Sequence, residues 1–276
     1  MFMTQIGALV LAATLGPAPS ISGMQGSAAL RLAAAQPPGQ AAEQKPGADD
    51  NRDHEKDKDQ KKAQQKPPHK RVSPAEQQER IRRQEQQLAL YRKNIALREE
   101  LAERDAQVLR QQKRIQHLRY QERYEERLRA QRVQLNQARY DFDNDPFYYT
   151  APNYRYRRDG RYFQTNEYGI RKLEQALQSG YNEGFRAGRA DREDRWRYDY
   201  RSAFAYQDAN YGYDGRYVPQ DEYNHYFREG FQRGYDDGYY GRQKYGRKND
   251  DGGINDEWLI AGAVVAAVLG YELLTD

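Results

Sequence analysis

The sequence predicts a mainly α-helical protein with extensive disorder: a long charged helix able to act as a coiled coil, a small α-rich module of two glycine-striped helices, and an apolar C-terminal helix. Three observations carry this reading. Residues 75–145 contain neither glycine nor proline, residues 180–188 and 230–238 both place glycine at every fourth position with an aromatic after it, and residues 23–72 are rich in Pro, Gln and charged side chains. The first two fit helical periodicity, and the third describes a chain that buries too little apolar surface to offset its ordering entropy.

Composition narrows the function classes. With 37% hydrophobic residues in a chain of 276 and a mean hydropathy of −1.20, there is little material for a large core, and a single compact globule is not expected. Residues 74–140 hold sixteen basic against ten acidic side chains, whereas residues 141–276 hold nineteen against twenty-four. A basic middle suits an anionic partner or the acidic half of the same chain. The absence of cysteine excludes disulfides, thiolate zinc sites and cysteine nucleophiles.

Residues 1–22 read as a signal peptide or short apolar leader: the apolar run Ile6 to Leu15 precedes Gly16-Pro17-Ala18-Pro19-Ser20, with cleavage expected between Ser20 and Gly23. Nothing basic precedes the run except the amino terminus, which leaves a short anchor or a misassigned start as alternatives. Export implies a periplasmic or extracellular, envelope-associated location. Residues 23–72 form a disordered Pro/Gln/charged linker.

Ser73-Pro74-Ala75-Glu76 is a helix start, with serine as cap, proline in the first turn and glutamate reaching back. An uninterrupted helix to Tyr140 would be about 100 Å long at roughly 1.5 Å per residue. Its apolar residues fall on two heptad ladders: Ile81, Leu88, Ile95, Ala102 and Leu109, and Leu101, Val108 and Ile115 with Leu97 and Leu118 beside them. Either the helix self-associates through them or it stands solvated without a partner. Arg80, Arg82, Arg83, Arg110, Arg114, Arg119, Arg123 and Arg127 are the candidate contacts to an anionic polymer, nucleic acid or polysaccharide. Nucleic acid is disfavoured, because twenty of the twenty-four tyrosines that would stack on bases follow residue 141, away from these arginines.

Residues 141–250 read as a duplicated module. Asp159-Gly160-Arg161-Tyr162 and Asp214-Gly215-Arg216-Tyr217 each introduce a turn, a short extended piece and a capped helix, the helices running from Asn166 to Arg195 and from Gln220 to Gln243. The first copy is lengthened by Gly169 to Leu177, and residues 196–213 between the helices are irregular and packed by their aromatics. A glycine inside a helix costs about 1 kcal/mol relative to alanine, so Gly180, Gly184, Gly188, Gly230, Gly234 and Gly238 call for an offsetting gain, which close backbone approach supplies. Tyr223, Phe227, Phe231, Tyr235 and Tyr239 form a four-residue ladder beside the stripe, matched by Leu173, Leu177, Tyr181 and Phe185. Asn182, Glu183, Arg186, Asp236 and Asp237 on the other faces argue against membrane insertion, and Asp236 with Asp237 reads as a solvated face.

Residues 251–276 read as an apolar helix that repeats the spacing with Gly262, Ala266 and Gly270. Trp258 to Tyr271 would reach about 21 Å, short of the roughly 30 Å bilayer core, so the helix docks on the glycine pair, contacts another copy or dips into a membrane surface.

His54, His69, His117 and His225 are scattered, with His117 expected at the surface. The frames starting at Asp141 and Asn210 imitate calcium loops but lack ligands at essential positions, so no metal or cofactor is expected. No catalytic constellation is present. With its Gly-aromatic-x-x-Gly helices at 180–188 and 230–238 and flanking Asp-Gly-Arg-Tyr turns, residues 150–250 resemble tyrosine- and glycine-rich exported proteins of bacteria, a resemblance that implies envelope association and no particular chemistry. The stripes also resemble glycine zippers of envelope proteins, from which they depart in carrying charges between the glycines. The sequence thus points to an exported, non-enzymatic assembly protein that associates with itself and with an envelope component or membrane surface.

Overall fold

Helix α1 (Pro74–Gln111) opens as expected, with Pro74 in the first turn and the Ser73 hydroxyl accepting from the Glu76 amide. The computed structural model describes residues 70–248 and 258–274, so the leader and most of the linker lie outside the described residues. The described residues form one compact unit, in which the segments that the sequence divides at 140 and 250 pack together.

The helix does not run on to Tyr140. It stops at Gln112, Lys113 turns through the left-handed region (φ 59°), and α2 (Ile115–Gln137) returns along α1. Gln121 donates to the Ala102 carbonyl (2.8 Å), Gln131 to the Tyr91 hydroxyl (3.3 Å) and Arg92 to the Leu135 carbonyl (2.8 Å), a falling register that makes the pair an antiparallel hairpin. No glycine, proline or asparagine marks the break. Its cause is tertiary: the Asp194 carboxylate accepts from the Gln116 and His117 amides (2.9 Å each), capping α2 from the far end of another helix. The two ladders meet different fates. Ile81, Leu88, Ala102 and Leu109 are buried, whereas Leu101 (55% exposed), Val108 (43%) and Ile115 (44%) remain in solvent.

Next come α3 (Pro146–Tyr149), capped by Asp145, and the antiparallel strands β1 (Tyr154–Arg158) and β2 (Arg161–Thr165). Asp159 and Gly160, both at positive φ, close this hairpin in the two-residue turn that matches strand twist. Helix α4 (Glu167–Glu193) is capped by the Asn166 side chain, which accepts from the amides of Tyr168 and Gly169. A 3-10 turn (Tyr200–Ser202) and the short α5 (Phe204–Asp208) carry the chain to α6 (Gln220–Tyr240). The second Asp-Gly-Arg-Tyr turn has no strand after it. Its backbone is engaged by α1 instead: the Gln84 amide donates to the Gly215 carbonyl and accepts from the Tyr217 N–H.

The expected C-terminal helix is a strand–helix–strand: β4 (Trp258–Ile260) pairs with β3 (Gly246–Lys248), α7 (Gly262–Leu269) follows, and β5 (Glu272–Leu273) adds to β1. The segment meets the core through its branched side chains and not through the glycine spacing. Leu269 is fully buried with Val265 and Val268 against the core, but a Cβ on Gly262 would meet nothing within 4 Å, Ala266 is exposed, and Gly270 (φ 51°) ends the helix. Among the described residues no helix is long and apolar enough to cross a membrane.

The poor hydropathy is reconciled with a core by tyrosine. Tyr124, Tyr181, Tyr213, Tyr223, Tyr226 and Tyr235 are fully buried, and each hydroxyl donates to an internal acceptor: Asp208, Asp237, Val218 O, Tyr211 O, Arg157 O and Asp191. Such a residue supplies a large apolar ring while its polar end is satisfied inside.

Candidate functional site

The glycine stripes lock α4 and α6 together. An added Cβ would lie 1.9 Å from the Phe227 carbonyl oxygen at Gly180, 2.0 Å from that of Phe231 at Gly184 and 2.3 Å from that of Tyr235 at Gly188. The reverse contacts are Gly230 to Leu177 (2.1 Å), Gly234 to Tyr181 (1.9 Å) and Gly238 to Phe185 (2.2 Å). Both series ascend, so the helices run parallel, related by a pseudo-twofold that exchanges Gly180 with Gly230 and Leu173 with Tyr223. The extra length of the first copy therefore precedes Leu173 and is shorter than Gly169 to Leu177. The space a side chain would fill holds a glycine hydrogen aimed at a carbonyl, a weak contact repeated along the interface. Tyr181, Phe185, Tyr223, Phe227, Phe231 and Tyr235 are buried over it, and Tyr239 partly so.

Buried carboxylates tie this pair to the hairpin. Asp191 accepts from Arg114 (2.5 Å) and Tyr235 (2.5 Å) and contacts His117 Nδ1 at 2.7 Å, and all four side chains are buried. Burial pushes the Asp191 carboxyl up, but the His117, Arg114 and Tyr235 hydrogen bonds outweigh it and hold the group below the usual carboxylate range. His117 is thus interior rather than at the surface; its one signal, a lone histidine three residues after Arg114, is indistinguishable from a surface one. Asp237 is likewise buried, not solvated, accepting from the Lys244 and Tyr245 amides and the Tyr181 hydroxyl.

The arginine set is divided. Arg114 is held by Asp191, Arg127 by the buried Glu183 (2.6 Å), and Arg80 by Glu76 and the Thr150 carbonyl. Arg82 and Arg83 share Glu79, and Arg110 lies 3.7 Å from Glu122. Arg119 and Arg123 are exposed.

A groove of about 690 Å³ lies between α2, the start of α4 and residues 211–217. Of the candidate arginines only Arg127 reaches it, where it meets tyrosines of later segments: Tyr140, Tyr168, Tyr211 and Tyr217 line the groove with Arg127, Arg171, Lys172 and Arg216. Each cation has a carboxylate partner: Arg127 with Glu183, Arg171 with Glu167 (3.4 Å), and Lys172 and Arg216 with Asp214 (2.9 Å each). Burial lowers the Lys172 ammonium, partly offset by Asp214; Asp214 is in turn held below its ordinary value, because Lys172 and Arg216 outweigh its own burial. One wall is built under strain, with Tyr217 (φ 71°) in the left-handed region, a conformation costing about 1–2 kcal/mol. Gln131 holds that wall, donating to the Asn210 and Tyr213 carbonyls and accepting from the Gly212 amide.

A smaller cavity of about 170 Å³ lies inside the hairpin, and its buried carboxylate, Asp208, is already engaged by Tyr124, Asn210 and Arg98. Among the described residues no cluster of three or more His, Asp or Glu side chains is arranged to hold a metal ion. No protein-family model matches the chain, and neither a curated protein nor a solved structure does.

Proposed function

We propose that this chain is an exported, non-enzymatic assembly protein of the cell envelope, in which the glycine-locked helix pair is a rigid core and the hairpin carries the contact surface. The observation that carries the reading is the exposed half-ladder. Leu101 and Val108 stand one heptad apart on the same face of α1, with Ile115 just past the hairpin tip, although in the neighbouring ladder Ile81, Leu88, Ala102 and Leu109 are buried and Ile95 half-buried. Glu100, Glu103, Arg104 and Arg110 flank them with both signs of charge, so a second copy laid antiparallel on this face places unlike charges together.

Export rests on the apolar run at Ile6 to Leu15. Cell fractionation with N-terminal sequencing of the mature protein is expected to find an exported chain starting near residue 23; an uncleaved cytoplasmic chain overturns that part. Light scattering of the purified protein is expected to give a dimer or larger species that Leu101→Glu converts to monomer with its helix content intact. A wild-type monomer at all concentrations refutes the contact surface. Binding of an anionic polymer by the arginine set ranks second, since Arg80, Arg114 and Arg127 are committed to internal partners.

A further inference from the structure

We infer that the groove between α2, α4 and residues 211–217 is a binding site for a neutral oligosaccharide. The inference stands independently of export and self-association. Three features of the groove select this ligand class. First, its volume of about 690 Å³ falls within the roughly 300–1,000 Å³ of small-ligand sites.

Second, each of its cations already has a carboxylate partner. Arg127, Arg171, Lys172 and Arg216 are set against Glu183, Glu167 and Asp214, with Asp145 a further 3.8 Å from Arg216. A nucleic acid or acidic glycan gains its affinity from cations free to replace condensed counterions, and this groove offers almost none. Paired guanidinium and carboxylate groups instead present donors and acceptors side by side in fixed positions. Adjacent sugar hydroxyls, each both donor and acceptor, complement that arrangement without any charge being displaced. Gln134 and Gln175 add amides with the same double capacity.

Third, tyrosines line the same hollow. Tyr140, Tyr168 and Tyr211 are half-buried, leaving part of each ring at the groove surface. The electron-rich face of an aromatic ring attracts the positively polarised C–H groups on one side of a pyranose, a contact that needs no charge on the sugar. Arg216 lies 4.5 Å from the Tyr140 ring centroid and Arg127 5.3 Å from that of Tyr211, so two of these rings are held in place by cations. The left-handed Tyr217 in the lining fits this picture: a non-glycine residue held at positive φ persists where a wall must keep one shape.

The test is saturation-transfer NMR and calorimetry on the full chain with chitotetraose, cellotetraose and maltotetraose, beside a uridine oligonucleotide and heparin hexasaccharide. Transfer to at least one neutral tetrasaccharide is expected, with an affinity that changes less than about twofold between roughly 50 and 200 mM salt. Arg171→Gln, at a side chain 65% exposed, and Tyr168→Ala are each expected to weaken it by about tenfold or more, while Tyr168→Phe retains it. Gly262→Ala, outside the groove lining at a position where an added Cβ meets nothing within 4 Å, leaves it unchanged. Absence of transfer to all three neutral sugars overturns the inference. So does binding confined to the oligonucleotide or heparin with steep salt dependence, and so does full affinity in both Arg171→Gln and Tyr168→Ala.

Discussion

Replacing Gly234 by alanine tests the helix lock most directly. In an exposed helix this change stabilises by about 1 kcal/mol, because alanine has the higher helix propensity. Here the new Cβ would lie 1.9 Å from the Tyr181 carbonyl oxygen, 2.7 Å from its carbon and 2.9 Å from the Phe185 nitrogen, all backbone atoms of a 27-residue helix. Restoring a carbon–oxygen separation of about 3.3 Å requires the axes to part locally by about 1.4 Å. A gap of roughly 0.5–1 Å already forfeits a quarter to a half of each dispersion contact, so the neighbouring contacts at Gly184, Gly230 and Gly238 slacken too. Overpacking costs about 1–3 kcal/mol even when flexible side chains can yield. With rigid backbone on both sides, a net loss of at least about 3 kcal/mol is expected, or roughly 6–12 °C in Tm for a domain of this size. Thermal unfolding followed by circular dichroism reads this directly. Gly262→Ala is the control: its Cβ meets nothing within 4 Å, so Tm should hold or rise slightly. An unchanged or higher Tm for Gly234→Ala refutes the close-approach argument.

Two further outcomes follow from buried polar groups. Asp191 and Asp214 have folded pKa values below their ordinary ones, so their stabilisation is complete above the unfolded value of about 3.9 and is lost as pH falls through the lower folded values. Tm should therefore drop steeply on acidification below about pH 4. Asp191→Asn, which leaves Arg114 and His117 uncompensated, should cost roughly 3–5 kcal/mol at neutral pH and flatten that slope; an unaltered pH profile contradicts the assignment. Gln84→Ala should cost about 1–3 kcal/mol by orphaning the buried backbone groups of the second turn, and should accelerate hydrogen exchange at the Tyr217 amide, whose acceptor is the Gln84 side chain; a protected amide would mean that the turn holds itself.

Local signals determined a good deal of this protein. The Ser73-Pro74 start, the Asp159-Gly160 turn, the Asn166 cap and the two glycine-striped helices are each set by a few neighbouring residues, and each is legible because capping, turn chemistry and periodicity act over one or two turns of chain. The need for close packing at Gly180 to Gly188 and Gly230 to Gly238 was legible for the same reason: six glycines in helices are costly unless something offsets them. The glycine spacing at Gly262, Ala266 and Gly270 looked alike and meant something else, because spacing says nothing about whether a partner backbone lies opposite.

What only the tertiary structure decided are the relations between distant segments. The hairpin break at Lys113 depends on Asp194, about eighty residues away; the second turn depends on Gln84; and the interior place of His117 depends on Asp191. The groove belongs to this class too. Arg127 and Tyr140 meet the tyrosines and cations of two later segments there only because α2 folds back beside α4, and the pairing of Arg127 with Glu183 and of Lys172 with Asp214 exists only in the folded chain. Periodicity identifies which face of a helix is apolar, but which of two ladders is buried is settled by the surface that the rest of the chain offers it: Ala102 joined the tyrosine-rich core and Leu109 packed with Ala106 and Leu118, while Leu101 with Val108 was left in water.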